Sequence, residues 1–331
     1  MSTNVANNPQ TAVGMPKKSR VSVGNFVLNN IVWFLLIVSI VIMGIIQPIF
    51  FSGTILGNIL VQASVLGVLS AGLSFVIILG DIDLSIVGVL AFAAAVGTLA
   101  MKAGLPWFLA AILTIIIGVI FGWLNGILVA KLKAVSLIET LAIMFTLQGA
   151  VLAITQGRSI VNFPDAYKKV GQGTIFGIPI LPLVFIGVYV IVHIVWKRTA
   201  LGRSLFAVGG NPKCAHVSGI KVDKIRIAAF TISGAFAGLG GYMLSSYLGA
   251  VTSTFGTEYS MYSIAASVIG GISLSGGRGK ISGVLGGVLL LTVIQVGLQV
   301  LGISSYYVQM AGGLMIFVAV MIDSIRVKVL G

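Results

Sequence analysis

The chain has 331 residues, of which 58% are hydrophobic and 8% charged, and its mean hydropathy is +1.13. A soluble domain carries about 25% charged residues, so the composition excludes one and indicates an all-α polytopic membrane protein with a single membrane domain. The formal net charge of +13 would suggest nucleic acid in a soluble chain. In a membrane protein basic residues mark cytoplasmic loops, and no nucleic-acid partner is expected.

In chain order, residues 1–29 read as a polar cytoplasmic tail with Lys17, Lys18 and Arg20, ahead of the apolar run Ile31–Ile46. That run ends in Gln47-Pro48-Ile-Phe-Phe without a small-x-small cleavage site, so a retained first span is expected rather than a signal peptide. About 20 apolar residues cross a bilayer. Runs and breaks give ten candidates, at 30–48, 55–79, 84–101, 107–130, 136–155, 180–196, 226–248, 260–275, 282–301 and 306–323, the third and eighth being short. The membrane domain is therefore expected over 30–325, with a cytoplasmic loop at 197–225 and a C-terminal cytoplasmic tail at 326–331.

With the N-terminus inside, only Lys102, Arg158, Lys168 and Lys169 of the 20 basic residues fall outside. This skew predicts ten spans with both termini cytoplasmic. The longest outside loop, 156–179, is either a connector or a surface for an external partner.

Spans two to five and seven to ten resemble two copies. Gly118-Val-Ile-Phe-Gly122 is read as opening the fourth span and Gly283-Val-Leu-Gly-Gly287 the ninth. These spans run in opposite directions, which predicts an inverted repeat. The 43 glycines suit spans that pack backbone to backbone.

Few groups are available for chemistry. Cys214 is the single cysteine, which excludes an internal disulfide, and His193 and His216 lack metal-ligand spacing. The acids are Asp81, Asp83, Glu139, Asp165, Asp223, Glu258 and Asp323. Only Glu139 is expected inside a span, at its start, where a helix N-terminus favours an anion and an interfacial side chain is expected. That leaves little for a proton or sodium relay. No hydrolase or zinc motif is present. The segment Gly276-Gly-Arg-Gly-Lys280-Ile281 lacks the Ser or Thr after Lys that a phosphate loop needs, so it reads as a tight turn. Any nucleotide site must lie on another chain.

Polar residues within spans include Ser64, Ser70, Ser246, Tyr247 and Gln299, together with Gln62, Ser74, Asn125, Gln148, Ser245, Tyr262 and Gln295. The last seven are the candidate translocation path. Such groups either bond between helices or line a wet passage. Being neutral, they suit a polar uncharged cargo better than an ion.

Several segments carry a resemblance. Gly80-Asp-Ile-Asp-Leu-Ser85 resembles the Gly-Gly-Ile-Asp-Leu-Ser segment of ribose-type ABC permeases, which belong to a superfamily shared with branched-chain amino acid permeases. Gly122-Trp-Leu-Asn-Gly-Ile-Leu-Val-Ala130, Ala207-Val-Gly-Gly-Asn211, Ala215-His-Val-Ser-Gly-Ile220, Val268-Ile-Gly-Gly-Ile-Ser-Leu-Ser-Gly-Gly-Arg-Gly279 and Leu301-Gly-Ile-Ser-Ser-Tyr-Tyr307 are similar to further family segments. Asp81 replaces a family glycine, and Glu139 stands where a small or apolar residue is commoner.

The resemblance implies a type II ABC importer-like fold in a bacterial inner (plasma) membrane. It also implies an importer of monosaccharides or similar small polar molecules. The expected partners are an ABC ATPase subunit, a second identical or different permease subunit, a periplasmic substrate-binding protein and the lipid bilayer. ATP and Mg would sit on the ATPase, with no cofactor and no catalytic residue on this chain. The resemblance further implies an ATPase-coupling helix at 211–219, with Gly209 and Gly210 as its lead-in turn. Asn211 would cap it, Pro212 would be its first helical residue and Gly219 its stop. Lys213, His216 and Val217 would face the partner, with Ala215 and Ser218 completing the segment. The rival readings are a secondary carrier or facilitator for a small polar solute, a non-transporting scaffold or receptor, and an ABC permease for branched-chain amino acids.

Overall fold

The computed structural model describes residues 30–252 and 254–330; the expectations for the tail at 1–29 lie outside these. The first helix, α1 (Ile31–Ile46), ends at the 3-10 turn Pro48–Phe51, where proline at its start ends the preceding helix. There follow α2 (Gly53–Ile78), α3 (Ile86–Lys102), α4 (Trp107–Lys131) and α5 (Ser136–Thr155). The loop at 156–179 holds α6 (Asp165–Gln172) and a two-stranded antiparallel hairpin, β1 (Thr174–Ile175) and β2 (Ile178–Pro179), in which Ile175 faces Ile178. Next are α7 (Ile180–Arg198), α8 (Ala200–Gly210), α9 (Pro212–Val217), α10 (Val222–Leu248), α11 (Tyr259–Ile269), α12 (Ile281–Val300) and α13 (Ser305–Leu330).

Helices α2, α4, α5, α7, α10 and α12 are long and apolar enough to cross a membrane, while α1, α3 and α11 are shorter apolar helices. Each of the ten candidate spans overlaps one helix. The eighth differs most: α11 stops at Ile269, because Gly270 and Gly271 follow and Gly271 adopts φ +91°. Gly118 lies in the middle of α4 and does not open it.

The centre of the fold is α10, which packs most extensively on α4 and also on α2 and α3. Glycines make this possible. A Cβ on Gly234 would lie 2.2 Å from the Gly118 carbonyl oxygen, and one on Gly122 would lie 2.4 Å from that of Phe230. The two helix backbones are in direct contact, the arrangement by which small residues let helices associate where no hydrophobic force drives them together. Helix α2 is likewise interior, and the face that α5 leaves uncovered is apolar, with Ile138, Phe145 and Leu152 exposed.

The loop at 156–179 is packed into the fold. Tyr167 of α6 is fully buried, its hydroxyl 2.7 Å from Ser245 Oγ, and Ser246 Oγ donates to the Tyr167 carbonyl at 2.7 Å. The Gly171 N–H donates to the same Ser246 oxygen at 2.7 Å, and Ile160 bridges Val251 in antiparallel fashion. Lys168, 2.8 Å from Asp165, holds that exposed carboxyl below the usual carboxylate range.

Ser246→Ala would orphan two buried backbone groups at a cost of about 1–3 kcal/mol. Limited proteolysis from the side carrying α6 should then cut 156–179 markedly faster than in the parent protein, with the spans intact.

Candidate functional site

Three of the seven proposed path residues meet at one cavity of about 250 Å³ between α2, α11, α12 and α13. They are Gln62 on α2, Tyr262 on α11 and Gln295 on α12. Gln295 shares a hydrogen bond with Tyr262, and Gln299, one turn further along α12, adds a second amide. Ser305 and Gln309 close the wall from α13, and the Tyr262 ring is wedged against Gly312, which has no side chain to obstruct it.

The rest of the wall includes one residue that the sequence reading missed. Glu258, at the start of α11, lines the cavity, so the lining is not wholly neutral. Its position in a loop hid it: the signal was an acid immediately before an apolar helix, one turn ahead of Tyr262.

The other four proposed path residues do not join this cavity. Ser74 is buried and donates to the Ala71 carbonyl of its own helix at 2.6 Å. Ser245 holds Tyr167 of the outer loop. Gln148 is half-buried on α5, away from the cavity lining. Asn125 is buried on α4, where its Nδ2 donates to Ser85 Oγ at 2.6 Å. For these residues sequence could not separate helix-to-helix bonding from lining, because both put a small polar group on a buried face.

At the other end of α2 lies the proposed coupling segment. Asn211 caps α9, its Oδ1 accepting from the Cys214 N–H at 3.0 Å, and Pro212 is the first helical residue. Gly219 takes φ +85°, a left-handed conformation suited to ending a helix. Lys213, His216 and Val217 are exposed, Val217 at 85%, while Ala215 packs inward.

Gly209 and Gly210 correct the reading: they are the last residues of α8 and form no lead-in turn. The reason is packing. A Cβ on Gly209 would lie 1.8 Å from the Ile78 carbonyl oxygen and 2.7 Å from the Gly277 nitrogen. The Gly277 N–H itself donates to that Ile78 oxygen at 2.8 Å. The helix leading into α9, the end of α2 and the glycine turn between α11 and α12 therefore touch backbone to backbone. Gly276 and Gly277 both adopt positive φ there, as expected of the tight turn read from 276–280. Helices α2, α11 and α12 also line the cavity.

These features define a polytopic helical permease. The chain belongs to the family described as branched-chain amino acid transport system / permease component, whose model matches residues 55–319. It is 36% identical over 310 residues to a ribose import permease protein of Haemophilus influenzae, covering 92% of this chain and 96% of that one. It is 37% identical over 290 residues to the ribose import permease protein of Bacillus subtilis, covering 87% and 90%. It is 31% identical over 314 residues to a galactose/methyl galactoside import permease protein of Escherichia coli, covering 89% and 94%. No solved structure matches the chain significantly.

Gly209→Ala should cost about 1–3 kcal/mol, because the atoms it meets are backbone and cannot move aside. Gly210→Ala, with nothing within 4 Å of its added carbon, should stay within about 0.5 kcal/mol. Thermal unfolding of the two variants in detergent measures the contrast.

Proposed function

We propose that this chain is the membrane-spanning permease subunit of an ATP-driven bacterial importer for a monosaccharide or a similar small polar molecule. The observation that carries this reading is the cavity: amides, hydroxyls and two phenols, with Glu258 as its only charged side chain among the described residues. A sugar offers many hydroxyls and no charge, which such a wall can bind. A branched-chain amino acid would bring a carboxylate, for which the wall has no cationic side chain. The ribose and galactose permeases named above support the same cargo class.

In this reading ten of the helices cross the inner membrane, with both termini cytoplasmic and α6 outside. The pattern of helix contacts supports two copies of opposite direction, α2–α5 and α10–α13. The contact of α4 with α10 has a counterpart in that of α12 with α2, α3 with α5 in α11 with α13, and α3 with α4 in α11 with α12. The paired glycines themselves face unlike neighbours: Gly118 and Gly122 face α10, whereas Gly283 faces Gly270, just past α11, and Gly287 faces Ala266 of α11.

A separate ATPase chain would hold ATP and Mg and receive α9. A second permease copy or homologue would complete the pathway, and a periplasmic binding protein would deliver cargo near α6. Closing of the ATPase pair would move α9 and α8 together. Through Gly209 that motion would reach Ile78 and Gly277, and so α2 and α12. The cavity would then open to alternate sides.

Deleting Pro212–Val217 should abolish uptake and cargo-stimulated ATP hydrolysis in the reconstituted complex, while the permease still inserts. Persistent uptake overturns the coupling assignment. Uptake that instead follows membrane potential, with no ATPase co-purifying, favours a facilitator. Gln295→Ala should raise the transport KM about tenfold, the loss expected for one cavity hydrogen bond of about 1.4 kcal/mol.

A further inference from the structure

The hairpin between α6 and α7 has an unusual tip. Ile175 pairs with Ile178, so the loop between the strands is Phe176-Gly177 alone, and both residues take positive φ, +50° and +80°. Positive φ at both central residues is the type I′ hairpin turn, which asparagine or glycine forms easily and a bulky side chain does not. Phe176 nevertheless stands at the tip, 102% exposed, between exposed Ile175 and Ile178. A strained backbone that displays an aromatic ring points to something for the ring to meet.

Charge divides the loop at 156–179 into two parts. Helix α6 carries Asp165, Lys168 and Lys169, with the Asp165 side chain 99% exposed. From Val170 to Trp196 there is no Asp, Glu, Lys or Arg. The second strand packs on α2 and α7 and runs through Pro179 directly into α7. The uncharged chain therefore continues from the hairpin tip into a helix long and apolar enough to cross a membrane. That helix exposes Leu183, Ile186, Val190 and Ile194, spaced three and four residues apart along one face. Such a face meets lipid.

The same end of the bundle carries other exposed rings. Gly118 meets Gly234 and Gly126 meets Ile227, so α4 and α10 are antiparallel and α4 begins beside the end of α10. Gly72 meets Phe236 and Gly240 meets Leu69, so α2 begins there too. The end of α10 is where Ser245 and Ser246 hold α6, directly before the hairpin. Trp107 and Phe108 open α4 and Phe51 precedes α2, and all three are exposed. Aromatic rings gather where a bundle passes from hydrocarbon to headgroups.

We propose that the hairpin tip, Ile175–Ile178, is a lipid-inserted anchor, with the Phe176 ring seated in the bilayer interface beside the start of α7. The tip has no side chain that could bond to a protein partner, whereas protein-docking surfaces carry a polar rim. The charged surface of the same loop lies on α6, so the loop divides its labour: α6 faces water and the hairpin faces lipid. Transfer of Phe176 and the two isoleucines out of water offsets the strain of the turn. The anchor fixes the depth at which α7 begins and, through the loop, the position of α6. It depends on the spans alone and stands whatever the cargo or partner.

The test places a nitroxide spin label on single cysteines of the full-length permease in nanodiscs, in a Cys214→Ser background. Accessibility is compared for oxygen, which concentrates in lipid, and a water-soluble nickel chelate. A label at Ile178→Cys should favour oxygen, as one at Ile186→Cys on the exposed face of α7 does, whereas one at Asp165→Cys should favour nickel. Adding Phe176→Asp should move the Ile178 label towards the nickel-accessible pattern, while the Ile186 label stays unchanged. An Ile178 label as open to nickel as that at Asp165 overturns the proposal, as does an Ile178 pattern indifferent to Phe176→Asp. An Ile178 label open to nickel until a binding protein is added, and shielded afterwards, makes the tip a protein-docking surface and overturns it as well.

Discussion

The structure depends on one close approach, that of α10 to α4. Gly234 and Gly238 on one helix meet Gly118, Gly122 and the backbone around Ile115 on the other, with no side chain between. In a membrane the lipid tails are as apolar as any leucine, so helices associate through close backbone packing. With α10 held on α4, α2 and α3 are drawn around it, and the polar groups of four segments come within bonding distance.

That approach explains where the polar residues went. Ser233 and Asn125 sit on the same pair of helices, and both reach the break at 80–85, directly or through Ser85. A break in the middle of a packed bundle must satisfy its backbone groups from neighbouring side chains. Ser136 and Thr140 do so from α5. Asp81, the departure from the resembling family, finds its counter-charge in Arg226 on α10. The outer end is organised by the same economy, since Ser245 and Ser246 of α10 anchor α6 through Tyr167 and Gly171.

Helix α2 carries both the cavity wall and the glycine contact, at opposite ends. One half carries Gln62 into the cavity, and the other end meets Gly209 and Gly277 through bare backbone. A tightly packed helix transmits displacement because it cannot compress. The short helix α9 is exposed and capped at its start by Asn211, while its neighbour α8 is locked to the core by a glycine. In the proposed mechanism the exposed piece and the locked piece together would act as a lever.

Much of this was legible in the chain. The position of the apolar helices, the start of α9 at Asn211-Pro212 and the turn at 276–280 follow from local rules of span length, capping and glycine conformation. Gln62, Tyr262 and Gln295 were readable as polar groups within apolar runs. Other features were not readable. Ser74 and Asn125 looked like lining, Glu258 did not look like lining, and Gly209 looked like a turn. Each depends on which neighbour stands opposite, across separations of many tens of residues. The sequence by itself determined which segments leave water and where helices begin and end, because hydropathy and capping act over a few residues. Only the tertiary structure decided which polar groups share a cavity, which satisfy a break, and which glycine is a joint, because those are properties of facing surfaces.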